Sequence, residues 1–127
     1  MLRGYKLNDY FVNDPNNDWK HQGILFGSTF IGYNEYGVSV DKKDLINRVL
    51  LNIYTPTRRG IAMGDTKYLL LFVYGMPTRI VESTTNAGTS TVYEYKNPAA
   101  SDSYLQFALD DKNQYIKSVM LSDRPVK

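Results

Sequence analysis

The sequence predicts an α+β fold in which a short helix packs across one face of an antiparallel sheet. Most of the chain consists of short segments rich in β-branched and aromatic residues, separated by polar or glycine-containing turns. One segment, between Thr57 and Arg79, carries the end signals of a helix instead. Hydrophobic residues make up 43% and charged residues 22% of the 127 residues, a composition typical of a single globular domain spanning 1–127.

The first half of the chain is predicted to be β-structure after an irregular start. Residues 13–18 form a polar turn cluster, N-D-P-N-N-D. Short strands are then expected at 24–26, 29–31 and 37–40, and a longer one at 45–54. Apolar residues in the longer segment alternate onto one face. This alternation predicts a sheet with one face on the core and the other partly in contact with water.

The helix is predicted from its two ends. Asp65 or Thr66 provides a side-chain oxygen that can cap the first turn, and Gly75 occupies a position at which helices commonly end. Pro77 follows shortly after it. The apolar composition of 67–74, K-Y-L-L-L-F-V-Y, also suits a buried strand, but the end signals favour a helix.

The second half of the chain is predicted to continue the sheet. Strands are expected at 78–82, 91–95, 104–109 and 115–121. A polar loop is expected at 83–90, and the polar tail at 122–127 is expected to be frayed.

An internal similarity predicts that the domain is built from two related units. Segments 41–51 and 111–121 both read D-K-x-x-Φ-I-x-x-V-Φ-L, where Φ is apolar. A second similarity joins 3–9 with 59–65, in the same order along the chain. Together they favour a tandem repeat whose first copy is eroded at its N-terminal end, although hairpins of similar length also resemble one another. The expected units are 1–56 and 57–122.

The stretch G-I-x-x-G-D-T-K at 60–67, followed by Y-G-x-P-T at 74–78, resembles the helix-entry motif of a known family. This family comprises small bacterial envelope proteins with the β-lactamase-inhibitor-protein-like fold, including the small lipoprotein of the outer-membrane assembly machinery. The resemblance implies a short helical segment across an antiparallel sheet, often in two tandem repeats. It also implies a non-enzymatic binding or assembly module with no catalytic residues.

In that family, the inhibitor proteins bind their partners through an exposed, aromatic-rich sheet face. The positions that would form such a face in this chain are Tyr33, Tyr36, Tyr93 and Tyr95. The chain contains 11 tyrosines, a residue type that suits both half-buried sheet faces and binding surfaces. Composition alone favours the structural role.

The predicted helix is apolar on all sides, whereas relatives in the family tend to have charged residues on its outer face. The outward positions here are Tyr68, Leu69 and Phe72. A helix that is apolar all round is usually buried all round. We therefore expect either that the first unit covers these residues or that they form an apolar interface. A second copy of the chain is slightly favoured as the partner.

Charge and composition exclude several functional classes. The net charge of +2 arises from scattered basic residues and does not predict nucleic-acid binding. The chain has no cysteine and a single histidine, His21, so no metal site, cofactor or catalytic group is predicted. Arg58, Arg59, Lys67 and Arg79 gather around the helix and suit an acidic partner or an anionic polymer. An ordinary solvated rim is the favoured interpretation of these four residues.

The predicted function is binding of another protein through the aromatic sheet face and the apolar helix face. One alternative is a small ligand-binding or enzymatic domain with a pocket between sheet and helix, and another is a cytosolic immunity-type protein that neutralises a toxin. No apolar run is long enough to predict a transmembrane segment. The localisation is open, extracytoplasmic if a signal has been removed and cytoplasmic otherwise.

Overall fold

The computed structural model describes residues 5–12, 21–25, 28–33, 35–52, 55–85, 88–97, 103–110, 112 and 114–126. These residues form one antiparallel sheet of eight strands and one short helix, which confirms the predicted α+β class. In chain order the elements are β1 (His21–Leu25), β2 (Ser28–Gly32), β3 (Tyr36–Val40), β4 (Ile46–Leu51), α1 (Lys67–Tyr74), β5 (Arg79–Thr85), β6 (Gly88–Lys96), β7 (Tyr104–Leu109) and β8 (Ile116–Ser122). The turn predicted at 13–18 lies outside the described residues.

The strand order in the sheet is β1-β2-β3-β4-β8-β7-β6-β5. Each half of the chain therefore contributes four strands that pair with their neighbours in sequence, and the two halves join where β4 pairs with β8. At this seam Val49 lies opposite Leu121 and Leu51 lies opposite Val119. All four side chains are buried, so the two halves share one hydrophobic core.

Helix α1 begins and ends where the local sequence predicts. The Oγ1 atom of Thr66 accepts a hydrogen bond from the Leu69 N–H at 3.2 Å, which caps the first turn. Gly75 ends the helix with φ 78° and ψ −162°, a conformation open essentially to glycine alone, and its N–H donates to the Leu71 carbonyl at 2.8 Å. The strand alternative for 67–74 is therefore wrong.

The helix packs against the sheet face on which Phe107 and Val119 lie. Leu70 is fully buried there, and the Tyr74 ring lies 5.2 Å from the Phe107 ring, centroid to centroid. The N-terminal segment covers the same face of the other half, where Tyr5 and Tyr36 are 5.4 Å apart between ring centroids. The core is therefore a single layer between one sheet face and these two covering segments.

The hairpin between β5 and β6 is longer than predicted. The sequence places residues 83–90 in a loop, but the paired strands extend to Thr85 and from Gly88. Thr84 and Thr89 lie opposite each other, with their hydroxyl oxygens 3.3 Å apart. Threonine is polar but β-branched, so it favours a strand even where the segment resembles a polar loop.

The two halves share a local hydrogen-bond pattern in the segments whose sequences are similar. The N–H groups of Asn8 and Gly64 donate to the carbonyls of Ile46 and Ile116 at 2.8 and 2.7 Å. Both residues have positive φ, at 67° and 93°. The two isoleucine N–H groups in turn donate to the carbonyls of the residues that follow Asn8 and Gly64, at 2.9 and 2.8 Å. This similarity concerns one turn of each half, so the tandem units stay a prediction.

Candidate functional sites: an apolar helix surface and a basic cleft

The predicted aromatic binding face is wrong for three of its four tyrosines. Tyr33, Tyr36 and Tyr93 are buried in the hydrophobic core, and Tyr95 is half-buried. The Tyr33 and Tyr36 rings pack 5.0 Å apart, and the Tyr36 hydroxyl lies 2.9 Å from that of Tyr5. These tyrosines are therefore core residues and are not available to a partner.

Alternation along β6 explains the error. Tyr93 and Tyr95 do share one sheet face, as the sequence predicts, because side chains alternate along a strand. That face is the one that α1 covers, since Tyr93 lies opposite Phe107 and Tyr95 packs against Tyr74 at 5.5 Å between ring centroids. A period of two residues shows which side chains share a face but not which face is covered.

The outward face of α1 is exposed. Phe72 is 88% exposed, Tyr68 73% and Leu69 42%, whereas Leu70 in the same helix is fully buried. Tyr68 and Phe72 are one helical turn apart and lie on the same side. The Lys67 ammonium lies over the Tyr68 ring, 5.4 Å from its centroid. Within the described part of the chain no segment covers this face. The expectation that the first unit covers it is therefore wrong for the described residues.

Three further exposed apolar residues lie near the helix. Met76 is 78% exposed just beyond the C-terminus of α1, and Tyr115 pairs through its backbone with Thr66 at the N-terminus. Ile80 is the second residue of the edge strand β5, which follows the helix in the chain. We call Tyr68, Leu69, Phe72, Met76, Ile80 and Tyr115 the helix surface. The sequence does not single out the last three, because each lies outside the helix, in a segment with its own pattern.

A second feature is an open cleft of about 730 Å³ at the C-terminal end of α1. Tyr74 of the helix and Tyr95 of β6 form aromatic walls, and the turn before the helix provides Arg58 and Arg59. Lys96 follows Tyr95 along β6 and lines the same space. We call this feature the basic cleft. It lies between sheet and helix. This is the position expected for the pocket if the chain is a small ligand-binding or enzymatic domain, the first alternative function.

The basic residues predicted to gather around the helix separate into three places. Arg58 and Arg59 line the basic cleft, and Lys67 lies over Tyr68. Arg79 is on the opposite sheet face, where its Nη1 atom is 3.4 Å from the Glu94 carboxylate. Lys96 is distant in the chain from the two arginines, and only the folding of the sheet brings it to the same cleft, so the sequence does not predict this grouping.

The Tyr95 side chain is held in its neutral form. Its hydroxyl donates to the Gly75 carbonyl at 2.8 Å, at the end of the helix. Burial, with smaller contributions from the nearby Tyr93 and Tyr74 phenols, raises the pKa of Tyr95 to about 12. The hydrogen bond links β6 to the helix C-terminus and therefore fixes one wall of the basic cleft.

We predict a stability loss at alkaline pH that depends on Tyr95. The pKa is higher in the folded chain than its ordinary value of 10.0, so the neutral phenol stabilises the fold fully below pH 10.0 and this stabilisation is lost as the pH rises towards about 12. In a ¹³C NMR titration of the tyrosine Cζ carbons, the Tyr95 signal should titrate with a midpoint of about 12. The Tyr95→Phe variant should lack this signal and lose less stability over the same range. A Tyr95 midpoint at the ordinary value would contradict the prediction.

The opposite sheet face carries a buried polar cluster that binds the C-terminal tail. Glu94 is only 1% exposed, and its Oε2 atom accepts hydrogen bonds from Gln106 Nε2 at 3.0 Å and from the Val126 N–H at 2.7 Å. Gln106 also donates to the Arg124 carbonyl at 2.9 Å, and Arg79 Nη2 donates to the Val126 carbonyl at 3.0 Å. Register places these side chains together, because Glu94 lies opposite both Arg79 and Gln106.

The prediction of a frayed tail is therefore wrong up to Val126. Residues 123–126 cross the sheet face that α1 leaves free, and residues 124–126 line an open pocket of about 300 Å³ there. Met120, Ala108 and Val92 form much of its apolar floor, and Pro125 lies on the tail side. The tail is short and polar, so its sequence gives no sign of this contact, which depends on acceptors and donors contributed by three different strands.

The residues that the structure describes contain no group of three or more histidine, cysteine, aspartate or glutamate residues placed to hold a metal ion. The His21 side chain lies outside the described atoms. In the described part of the chain, no helix has the length and apolar character needed to cross a membrane. Comparisons with models of known protein families, with the curated proteins and with the solved structures find no match to this chain.

Proposed function

We propose that this chain is a protein-binding module that recognises another protein through the helix surface. The observation that carries the proposal is the exposure of Phe72, a large aromatic side chain that is 88% accessible on a helix whose other side is buried. Single exposed apolar residues are common on proteins, but a contiguous group of large ones marks an interaction surface.

The composition of the helix surface supports this proposal. It combines Tyr, Phe and Met side chains, which are enriched at protein interfaces. Tyr68 and Phe72 have few rotatable bonds, so they lose little conformational entropy on binding. The rest of the helix is fixed by Leu70 and by the Thr66 cap, which presents both rings on a rigid element. The proposed partner is a different protein with an apolar docking surface, and self-association is the alternative.

The proposal is tested by capturing partners from a lysate of the source organism with matched variants. The double variant Tyr68→Ser/Phe72→Ser removes the centre of the helix surface. Tyr10→Ser is the control, because Tyr10 is 72% exposed and pairs with Leu45, in the half of the chain that does not contain the helix. We expect the wild type and the control to retain one protein in common, and the double variant to retain at least about 10-fold less of it, as loss of a binding hot spot implies.

Equal capture by the double variant would overturn the proposal, and so would the absence of any specific partner. Light scattering after size-exclusion chromatography distinguishes the alternative. If the wild type is a dimer and the double variant a monomer, the partner is a second copy of the chain. Circular dichroism of each variant verifies that the fold is retained, which is expected because both substituted side chains are exposed.

A further inference from the structure

The basic cleft has the dimensions of a small-molecule site. Its volume of about 730 Å³ lies within the range of roughly 300–1,000 Å³ that is usual for ligand pockets. It is lined by a loop, a helix and a sheet, and such junctions between elements commonly hold ligands. Tyr74 and Phe72 differ by two positions in α1, so they point to nearly opposite sides of the helix. The basic cleft is therefore separate from the helix surface.

The charge of the cleft has one sign. Arg58, Arg59 and Lys96 line it, and none of the described lining residues is acidic. Within the described part of the chain, none of these three cations forms an ion pair with a carboxylate. A cleft with charges of one sign and low-dielectric walls concentrates the electrostatic potential, and it attracts ligands of the opposite sign. The whole chain has a net charge of only +2, so the concentration of three cations in one cleft is a local feature.

The cationic groups are held by a rigid turn. The Gly60 N–H donates to the Thr57 carbonyl at 2.9 Å, and Gly60 has φ of 89°, which closes the turn that contains both arginines. Thr57 Oγ1 accepts hydrogen bonds from the Tyr74 hydroxyl at 2.8 Å and from the Ile61 N–H at 3.2 Å. These contacts connect the turn to the helix and order the loop before any ligand arrives.

The aromatic walls are fixed as well. The Arg59 guanidinium lies over the Tyr74 ring, 5.0 Å from its centroid. Stacking of this kind orients the planar group and leaves its N–H edge available for a carboxylate or phosphate. The hydroxyls of Tyr74 and Tyr95 donate to Thr57 and Gly75, so both of these lining side chains are held in place. Preorganised groups of this type bind a ligand with a smaller entropic cost.

We propose that the basic cleft binds a small organic anion that carries at least two carboxylate or phosphate groups. Arg58 and Arg59 bind one anionic group through directed N–H donors, and Lys96, which lines the same cleft at the end of β6, binds the second as a point charge. The carbon framework of the ligand packs against Tyr74 and Tyr95. This site is independent of the proposed protein-binding function, because it uses different residues and a different side of the helix.

The test is an NMR titration of the ¹⁵N-labelled full chain with two probes, citrate for the carboxylate arm and inorganic pyrophosphate for the phosphate arm. We expect saturable shifts of the backbone signals of Arg59, Tyr74 and Lys96, with a dissociation constant of about 1 mM or tighter for at least one probe. The probe with the lower dissociation constant identifies the anionic group, carboxylate or phosphate, that the cleft prefers. Binding should weaken as salt is raised, because exposed charges are screened.

Matched charge variants decide whether the cleft is responsible. Arg59→Gln and Lys96→Gln should each weaken binding by about 5–10-fold, since each removes one cation that contacts the ligand. Lys42→Gln removes the same charge from an exposed turn between β3 and β4 and should leave binding unchanged. Two results would overturn the proposal. One is the absence of a saturable shift at the cleft below about 10 mM of either probe. The other is that Arg59→Gln and Lys96→Gln bind the probes as tightly as the Lys42→Gln control. Spectra of the free variants show directly whether each is folded.

Discussion

Phe107→Ala is expected to lower the free energy of unfolding by about 3–5 kcal/mol. Phe107 is fully buried, with its ring 5.2 Å from that of Tyr74 and 5.8 Å from that of Tyr95, between centroids. Alanine leaves a cavity at the contact between helix and sheet that these well-fixed neighbours can fill only in part. Urea denaturation monitored by circular dichroism measures the effect.

The matched control is Phe72→Ala, the same chemical change at a site that is 88% exposed. Its effect should be within about 0.5 kcal/mol, because no packed neighbours are lost. The two results together verify which side of α1 belongs to the core. Similar losses from both variants would mean that the helix surface is buried in solution, and a concentration-dependent loss from Phe72→Ala would assign that burial to self-association.

Glu94→Ala is expected to lower the free energy of unfolding by about 2–4 kcal/mol and to release the C-terminal tail. Two short hydrogen bonds to the carboxylate are lost, from Gln106 and from the Val126 N–H, together with the longer one from Arg79 at 3.4 Å. Each short bond to a charged group contributes roughly 1.5–3 kcal/mol. The total loss is smaller than the sum of these contributions, because the Val126 N–H and the Arg79 side chain can form hydrogen bonds to water once the tail detaches. Hydrogen exchange of the Val126 amide, together with urea denaturation, measures both effects.

Glu82→Ala is the control for this prediction, because Glu82 is an exposed carboxylate on the neighbouring strand β5. We expect a change within about 0.5 kcal/mol and unchanged exchange at Val126. Slow exchange of the Val126 amide in Glu94→Ala would contradict the assigned role of Glu94, since the tail would then be held by other contacts. Arg79→Ala should cause a smaller loss than Glu94→Ala, because the Arg79 side chain is partly exposed and its contact with the carboxylate is long.

The parts of the fold that follow from short-range chemistry were predictable. The limits of α1 depend on the Thr66 hydroxyl and on the backbone freedom of Gly75, and both act within one turn. Strand β7 was predicted with its observed limits, Tyr104–Leu109, because alternation along one strand needs no information from its neighbours. The helical period places Phe72 and Leu70 on different sides of α1, but the helix is apolar all round, so the outward positions Tyr68, Leu69 and Phe72 came from the family resemblance and not from the period.

The parts that depend on pairing between distant strands were not predictable. In the sequence, Glu94 stands between two tyrosines and nothing marks it as buried. It can be buried and hold the C-terminal tail only because Gln106 and Arg79 lie opposite it in the sheet. The basic cleft likewise requires Lys96 to approach Arg59 across the fold. The register between strands that are distant in the chain depends on the packing of the whole core, so it cannot be predicted from one local segment.

The sequence by itself determined the α+β class, the helix with its caps, and the apolar side chains on the outer face of that helix. Only the tertiary structure decided which sheet face the helix covers, and this choice changed the role of the tyrosines. Tyr33, Tyr36 and Tyr93 became core, while the opposite face received the C-terminal tail. The physical reason is that both faces of this sheet carry residues able to be buried, so the covering segments and not the strands determine which face is hidden.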